Sequence, residues 1–317
     1  MSDGPVAIVG GGSIGVAFAL VFARAGHAVR IIDPDVERRE LIPGEVDAKL
    51  APLESAGLLA EAIDTISARV SVHADVTAAV RDAVLVQECV PERRDLKRAL
   101  FTELSSITDV DTVLASSSSA ISASQTAGGL GCEDRVLVAH PGNPPHLIPI
   151  IELVPSPATR PDILRSAREL YTSAGLSSVL VNREVEGFVF NRLQGALLRE
   201  AYALVRDGVA DVEDVDTVVR DGLGRRWAFM GPFETADLNT RGGIASHAAK
   251  MGPAYERMGA ERGQHDPWTE DLVAEVTRQR RAVLPLANWE GRVAWRDAQL
   301  VDRLPARTVA RAEPPPL

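Results

Sequence analysis

The chain has 317 residues, 45% of them hydrophobic and 25% charged, which is enough for two domains with separate cores and too apolar for a disordered polymer. A formal net charge of −10 without any block of Lys and Arg argues against a nucleic acid or an anionic membrane surface as partner. No apolar run is long enough to cross a bilayer and the start shows no basic leader, so a cytoplasmic location is expected; Cys89 and Cys132 lack metal-ligand spacing, which predicts two reduced, buried thiols and no bound metal.

The apolar run 6–9 predicts a strand, Gly10-Gly-Gly-Ser-Ile-Gly15 a turn, and 16–25 a helix closed by Gly26. Gly10, Gly12 and Gly15 have the G-x-G-x-x-G spacing of a dinucleotide turn. The first permits the bend, the second admits the pyrophosphate to the backbone, and the third lets helix and strand pack closely. Ser13 and Ile14 complete that turn, and the helix start directs N–H groups and a positive dipole end at the phosphates. A second strand, 27–32, ends in Asp33, where a carboxylate accepts hydrogen bonds from the adenosine ribose and repels a 2′-phosphate. NAD rather than NADP is the expected cofactor, although Asp33 also suits a helix N-cap before Pro34.

Residues 36–62 look helical but contain Pro43 and Pro52, which predicts two pieces or a bent helix. Further strands are expected at 70–72 and 84–88, then a helix over 90–101 with Glu92 in its first turn. Glu92 and Lys97 would lie near the carboxyl end of the sheet, where open α/β folds bind ligands, or serve as solvated helix charges. A strand at 112–115 runs into four hydroxyls, Ser116 to Ser119, which fit a flexible turn, a helix cap or donors to a substrate oxygen.

Residues 135–154 read as strand, tight loop and strand: 136–138 lead into His140, a loop crowded with Pro141, Gly142, Pro144, Pro145 and Pro149 follows, and 150–154 carry Glu152. His140 and Glu152 can therefore come side by side. An imidazole held in one tautomer by a carboxylate is a general acid/base; a strand-end histidine bonded only to backbone is the plainer alternative. Residues 176–181 are expected to be the last strand, with the sheet closing near 183.

Beyond that point only helical periodicity recurs, at 187–206, 212–219, 268–283 and 292–304. The expected architecture is α/β: a Rossmann-type doubly wound sheet domain over 1–185, followed by an all-α C-terminal domain over 186–317. Asn191 is the polar residue of an apolar opening turn, either a packing amide or one presented to a ligand in a cleft between the domains. Residues 222–232 are expected to form a loop whose Arg225 and Arg226 suit a carboxylate or solvent equally, and 312–317 a disordered tail.

Six segments keep a common order and spacing: Val9-Gly-Gly-Gly-Ser-Ile-Gly15, Gln87-Glu-Cys-Val-Pro-Glu92, Ala115-Ser-Ser-Ser-Ser119, His140-Pro-Gly-Asn-Pro-Pro145 with Ile151-Glu-Leu-Val-Pro155, Gly187-Phe-Val-Phe-Asn-Arg-Leu193, and the stretch from Gly222 to Thr235. Together they make the chain resemble the 3-hydroxyacyl-CoA dehydrogenase family over nearly its full length, closest to the L-gulonate 3-dehydrogenase branch. The resemblance implies an NAD-dependent enzyme with His140 as base and Glu152 as its orienting carboxylate. It further implies Ser119 and Asn191 as substrate-side donors, Asp33, Glu92 and Lys97 as NAD contacts, and Asn143 near the nicotinamide. Two departures bear on the substrate. Acyl-CoA members carry a lysine-rich helix after the second strand, where this chain offers mainly Arg38, Arg39 and Lys49, and their Asn-Thr-Ser-Ser is Ser117-Ser-Ser-Ala120 here. Both point to a small free hydroxy acid, gulonate-like or a short 3-hydroxy acid, with Arg226 as candidate carboxylate anchor and a homodimer through the helical domain. The alternatives are a 3-hydroxyacyl-CoA dehydrogenase and a non-catalytic NAD-binding structural or sensing protein; intact His140, Glu152, Ser119 and Asn191 argue against the latter.

Overall fold

Short apolar runs alternate with helices through the first half of the chain, and runs that are apolar at every position can be buried only with helices on both faces of a sheet. The computed structural model, which describes residues 4–264 and 269–302 except the side chains of 296–302, has this layering. Eight strands form one sheet: β1 (Val6–Val9), β2 (Val29–Ile32), β3 (Val70–His73), β4 (Leu85–Glu88), β5 (Val113–Ser116), β6 (Val136–Pro141), β7 (Ile150–Pro155) and β8 (Ser177–Leu180). Their spatial order is β3-β2-β1-β4-β5-β6-β7-β8. The first six are parallel, in the order of a doubly wound dinucleotide fold; β7 runs antiparallel to β6, and β8 parallel to β7.

The helices between the strands are α1 (Ser13–Arg24), α2 (Val36–Ser55), α3 (Ile63–Ser67), α4 (Val76–Val80), α5 (Arg94–Ile107), α6 (Ala123–Ala127) and α7 (Pro161–Ser173). After β8 come α8 (Phe190–Arg206), α9 (Val212–Thr217), α10 (Gly224–Trp227), α11 (Pro232–Asn239), α12 (Gly243–Glu261), α13 (Glu270–Val283) and α14 (Trp289–Asp302), with no further strand among the described residues. The chain divides into two compact units, Met1–Leu198 and Arg199–Leu317. Among the described residues no helix is long and apolar enough to cross a membrane.

Strand alternation sorts the first unit's core into two layers. Val6, Ile8, Leu137 and Ala139 pack with Phe18, Phe22 and Tyr171, whereas Ala7, Val9, Val136 and Val138 pack with Phe101, Leu104 and Phe188. His140 continues the parity of Val136 and Val138, which puts it on the second face. The second unit has a small core of its own around Met230, Leu238 and Leu284.

Four expectations need correcting. Of the two readings of 36–62, two pieces or a bent helix, the first is excluded: α2 is one element that contains Pro43 and Pro52, and it ends at Ser55 rather than near 62. Each proline costs about 3 kcal/mol in a helix interior, but both are exposed, and the stripe Ile42, Val46, Leu50 and Leu53 is buried, at about 1.5–3 kcal/mol per side chain. The stripe therefore outweighs the breaks. Glu92 lies before α5 rather than in its first turn, because Arg93 is the extended N-cap. The expected loop at 222–232 is mostly helical: a π-helical turn, Val218–Leu223, runs straight into α10. Its widened turn brings the Val219 carbonyl to within 2.8 Å of where a Cβ on Gly224 would stand, so that glycine marks a wide turn rather than a loop. Of the two free thiols, Cys132 is buried as expected and Cys89 only half-buried. Trp268, the expected start of a helix, and the tail 312–317 lie outside the described residues.

Gly15 is the most constrained of the turn glycines, since a Cβ there would stand 1.9 Å from the Gly10 carbonyl oxygen. Gly15→Ala is expected to lower the unfolding free energy by about 3 kcal/mol, because helix and strand must separate to admit one methyl. Urea denaturation checks this, and a loss below about 0.5 kcal/mol contradicts the close packing.

Candidate active site

The antiparallel register of β6 and β7 sets His140 directly opposite Glu152, so their side chains leave the same face of the sheet. His140 Nδ1 lies 2.7 Å from Glu152 Oε2, with both residues buried. The other carboxylate oxygen, Oε1, accepts the backbone N–H groups of Val189 at 2.8 Å and Phe190 at 2.9 Å, at the very start of α8. Gly187 and Phe188 both adopt positive φ, 75° and 47°, and this left-handed turn aims the two amides at the carboxylate. For Phe188 the strain is of order 1–3 kcal/mol, comparable with what burying its ring returns. That ring packs against the His140 imidazole, centroids 5.6 Å apart, and Phe190 adds a second ring at 6.3 Å.

Burial pushes the Glu152 carboxyl up, but the His140 hydrogen bond and the Phe190 and Val189 amides more than offset it, and the group lies below its ordinary value. It is therefore a standing anion. With an anionic acceptor on Nδ1, the imidazole is held as the Nδ1–H tautomer, and Nε2 is left as the ring nitrogen able to take a proton.

At the other end of the site, Gly10 has φ of 107° and a Cβ there would meet the Cys89 carbonyl at 2.6 Å. Gly12 differs: a Cβ built on it meets nothing within 4 Å. It is the N-cap of α1, makes no side-chain cap bond, and no acidic residue follows in the first turn of Ser13, Ile14 and Gly15. Open space over an uncapped helix start is what a pyrophosphate requires, so these residues fit a dinucleotide. Asp33 follows β2, and its carboxylate accepts the N–H of Gly11 at 2.8 Å and of Asp35 at 3.0 Å. The N-cap of α2 is Asp35 rather than Asp33. Asp33 thus ties the end of β2 to the glycine turn.

Lys97 and Glu92 occupy a network that sequence reasoning missed. Lys97 is 1% exposed, and its ammonium contacts both oxygens of the fully buried Glu88, at 2.7 and 2.9 Å, and Glu92 at 3.2 Å. Ser116 donates to Glu88 at 2.6 Å. Glu92 Oε1 accepts the Ser118 hydroxyl at 2.5 Å and the amides of Ser119 and Ala120 at 3.1 and 3.2 Å. Burial raises the Glu92 carboxyl, and Ser118 and Lys97 bring it below its ordinary value. Lys97 therefore spends its protons inside the protein, and Glu92 is the member that reaches the surface and fixes the turn bearing Ser119. Ser116, Ser118 and Ser119 are not equivalent hydroxyls: the first two are buried and Ser119 is exposed.

Asn191 follows Phe190 in the first turn of α8 and is half-buried. Asn143 is exposed in the loop after β6 and precedes a cis proline. Arg226 belongs to the second unit, in α10, with Nη1 3.4 Å from Asn239 Oδ1. Glu88, Ser118 and the amides of Val189 and Phe190 gave no sequence signal of their own; each lies inside a quoted segment, but which group a carboxylate meets is a matter of three-dimensional register.

The depressed Glu152 carboxyl has a consequence for stability. A group whose folded value lies below its unfolded one stabilises the fold above the unfolded value, and that contribution is lost as pH falls through the folded value. Glu152→Gln is expected to cost about 1–3 kcal/mol at pH 7, and the gap to the unaltered protein should narrow from the usual 4.5 downward. Urea melts at several pH values check it; a gap that widens in acid contradicts the assignment.

The 3-hydroxyacyl-CoA dehydrogenase NAD-binding domain matches residues 5–185, and the C-terminal domain of the same family matches 187–284. A lambda-crystallin homolog of Bos taurus is 39% identical over 317 aligned residues, covering 96% of this chain and 98% of its own. An L-carnitine dehydrogenase of Streptomyces griseus is 37% identical over 274, covering 86% and 78%. Among solved structures, a 5-formyl-3-hydroxy-2-methylpyridine 4-carboxylic acid 5-dehydrogenase, an NAD-dependent dismutase, superposes with a TM-score of 0.70 at 28% identity, over 93% of this chain and 98% of that one. Motifs, topology and both domain matches agree: the chain belongs to the 3-hydroxyacyl-CoA dehydrogenase family and is an NAD-dependent oxidoreductase.

Proposed function

We propose that this enzyme oxidises the 3-hydroxyl of a small hydroxy acid, gulonate-like or a short 3-hydroxy acid, to a ketone. The observation that carries the reading is the His140–Glu152 pair, in which every Glu152 oxygen is engaged and His140 Nε2 is the ring nitrogen left for substrate. Bound NAD would supply the hydride acceptor for the carbinol carbon. His140 Nε2 accepts the hydroxyl proton, and Glu152 stabilises the resulting imidazolium across the 2.7 Å bond. Gly10, Gly12, Ser13, Ile14 and Gly15 hold the pyrophosphate, Asp33 the adenosine ribose, and Asn143 the nicotinamide end. Glu92 and Lys97 act on the cofactor side by fixing the serine turn. Ser119 and Asn191 present hydrogen-bond donors to the substrate.

Two features support a free acid over a CoA thioester. In α2, Arg38 is engaged by Gly11 and Glu45, and Arg39 by the carbonyls of Asp33 and Pro34, which leaves few cations there for a phosphorylated head group. The carnitine and pyridine-carboxylic acid relatives are named for small carboxylates. The thioester reading retains the family name in its favour, and both are compared in one assay. We further propose a homodimer through the helical unit, supported by apolar side chains exposed there, Tyr202, Val209, Phe233 and Val283 among them, against a small core. We also propose a cytoplasmic location, and a domain division near 185/186 supported by the two family matches that end at 185 and begin at 187, a boundary that falls inside the first compact unit.

NADH formation from L-gulonate, 3-hydroxybutyrate and carnitine should exceed that from 3-hydroxybutyryl-CoA at equal concentration; the reverse order selects the thioester. His140→Gln should lower kcat by about 10²–10⁴ while NAD affinity, read by calorimetry, stays unchanged, and undiminished NADH production removes the mechanism. Arg226→Ala should raise KM for the acid about tenfold or more and leave KM for NAD alone; equal effects on both refute the anchor.

A further inference from the structure

The start of α2, just after β2, carries two guanidiniums near Asp33, Arg38 and Arg39, an arrangement more usual where a 2′-phosphate is accepted. Arg38 Nε donates to the Gly11 carbonyl at 2.6 Å, and its two terminal nitrogens form parallel bonds to the Glu45 carboxylate at 2.5 and 2.6 Å. Glu45 stands seven positions along α2, on the same side of the helix as Arg38. Gly11 in turn donates its N–H to Asp33. Asp33, Gly11, Arg38 and Glu45 thus form one chain of hydrogen bonds across the ribose end of the glycine turn. The Arg38 guanidinium holds the Glu45 carboxyl below its ordinary value, so the pair is charged at neutral pH.

We propose that Glu45 is a cofactor-specificity residue: its bidentate grip withholds Arg38 from a 2′-phosphate, and discrimination against NADP is shared between Asp33 and Glu45. The proposal rests on the reading of Asp33 as ribose acceptor. The charges make the logic explicit. Asp33, Glu45 and Arg38 together carry one net negative charge; removing the Asp33 carboxylate leaves the trio neutral, because Arg38 stays paired with Glu45, and only the loss of both carboxylates leaves the Arg38 guanidinium unshared, while Arg39 bonds the carbonyls of Asp33 and Pro34 through Nη1. A planar guanidinium with three of its five donors committed has no second fork to offer a phosphate. Asp33 alone would therefore be a poor point at which to convert this enzyme to NADP.

Calorimetry with 2′,5′-ADP and 5′-ADP as probes reads this without turnover. In an Asp33→Ser background, Glu45→Gln should tighten 2′,5′-ADP about tenfold or more while changing 5′-ADP little, and Arg38→Gln added to the pair should abolish the gain. Glu45→Gln alone should move the ratio of the two affinities in the same direction by less, which keeps the test open if the double variant folds poorly. Equal 2′,5′-ADP affinity with and without Glu45 overturns the proposal, as does a gain that survives Arg38→Gln. Undiminished 5′-ADP affinity in Asp33→Ser overturns the ribose reading of Asp33 instead, while the Glu45 comparison still reads the clamp.

Discussion

One carboxylate organises this site. Glu152 accepts three hydrogen bonds, from an imidazole on the neighbouring strand and from two adjacent amides at the start of α8, so the donors come from two separate stretches of the chain. An ionised carboxylate in so dry a place would be expelled or neutralised without such donors. With them, it fixes the imidazole tautomer, anchors the first turn of α8 and thereby positions Asn191. The cross-strand register of β6 and β7 brings the acid and the base together, and the left-handed pair Gly187–Phe188 supplies the amides. Removing any one of these elements leaves a buried donor or acceptor without its partner.

The buried Lys97–Glu88–Glu92 cluster is a different device. Taking an ammonium and a carboxylate out of water costs several kcal/mol per ion, so such a pair is weak evidence for stability. Its effect is geometric: Lys97 fixes the Glu92 carboxylate from behind, and Glu92 gathers the Ser118 hydroxyl and the Ser119 and Ala120 amides into one turn. The exposed Ser119 is placed by groups that never touch a substrate themselves.

Much of this was legible in the sequence because it depends on local pattern. The sheet's parallel run follows from apolar segments between helical ones, the glycine turn from spacing, and the His140–Glu152 meeting from a proline-tightened loop between two strands. What escaped depends on which groups face each other across the fold. Glu88 looked like an ordinary end to an apolar strand and Ser116 to Ser119 like one hydroxyl cluster, whereas burial separates them into network members and an exposed donor. The prolines of α2 misled because propensity is judged residue by residue, while the helix is held by a stripe that spans it. Within 222–232, read as a loop, Gly224 admits a widened helical turn instead.

The cofactor's phosphates pose an electrostatic difficulty for a chain with a formal net charge of −10, since long-range repulsion works against an anionic ligand. The first turn of α1 resolves it locally. It contains no acidic side chain, its N-cap makes no internal side-chain bond, and the space over Gly12 is open, so uncompensated backbone N–H groups face outward with nothing of their own to satisfy them. Fixed amide dipoles act over a few ångströms and are insensitive to the net charge further away. Two of the nearby cations are meanwhile masked by carboxylates: Lys97 by Glu88, and Arg38 by Glu45. With Lys97 and Arg38 withheld, anion binding rests on the backbone amides, which favours a ligand whose charge is confined to the pyrophosphate, and an additional phosphate on the ribose would meet the carboxylates of Asp33 and Glu45.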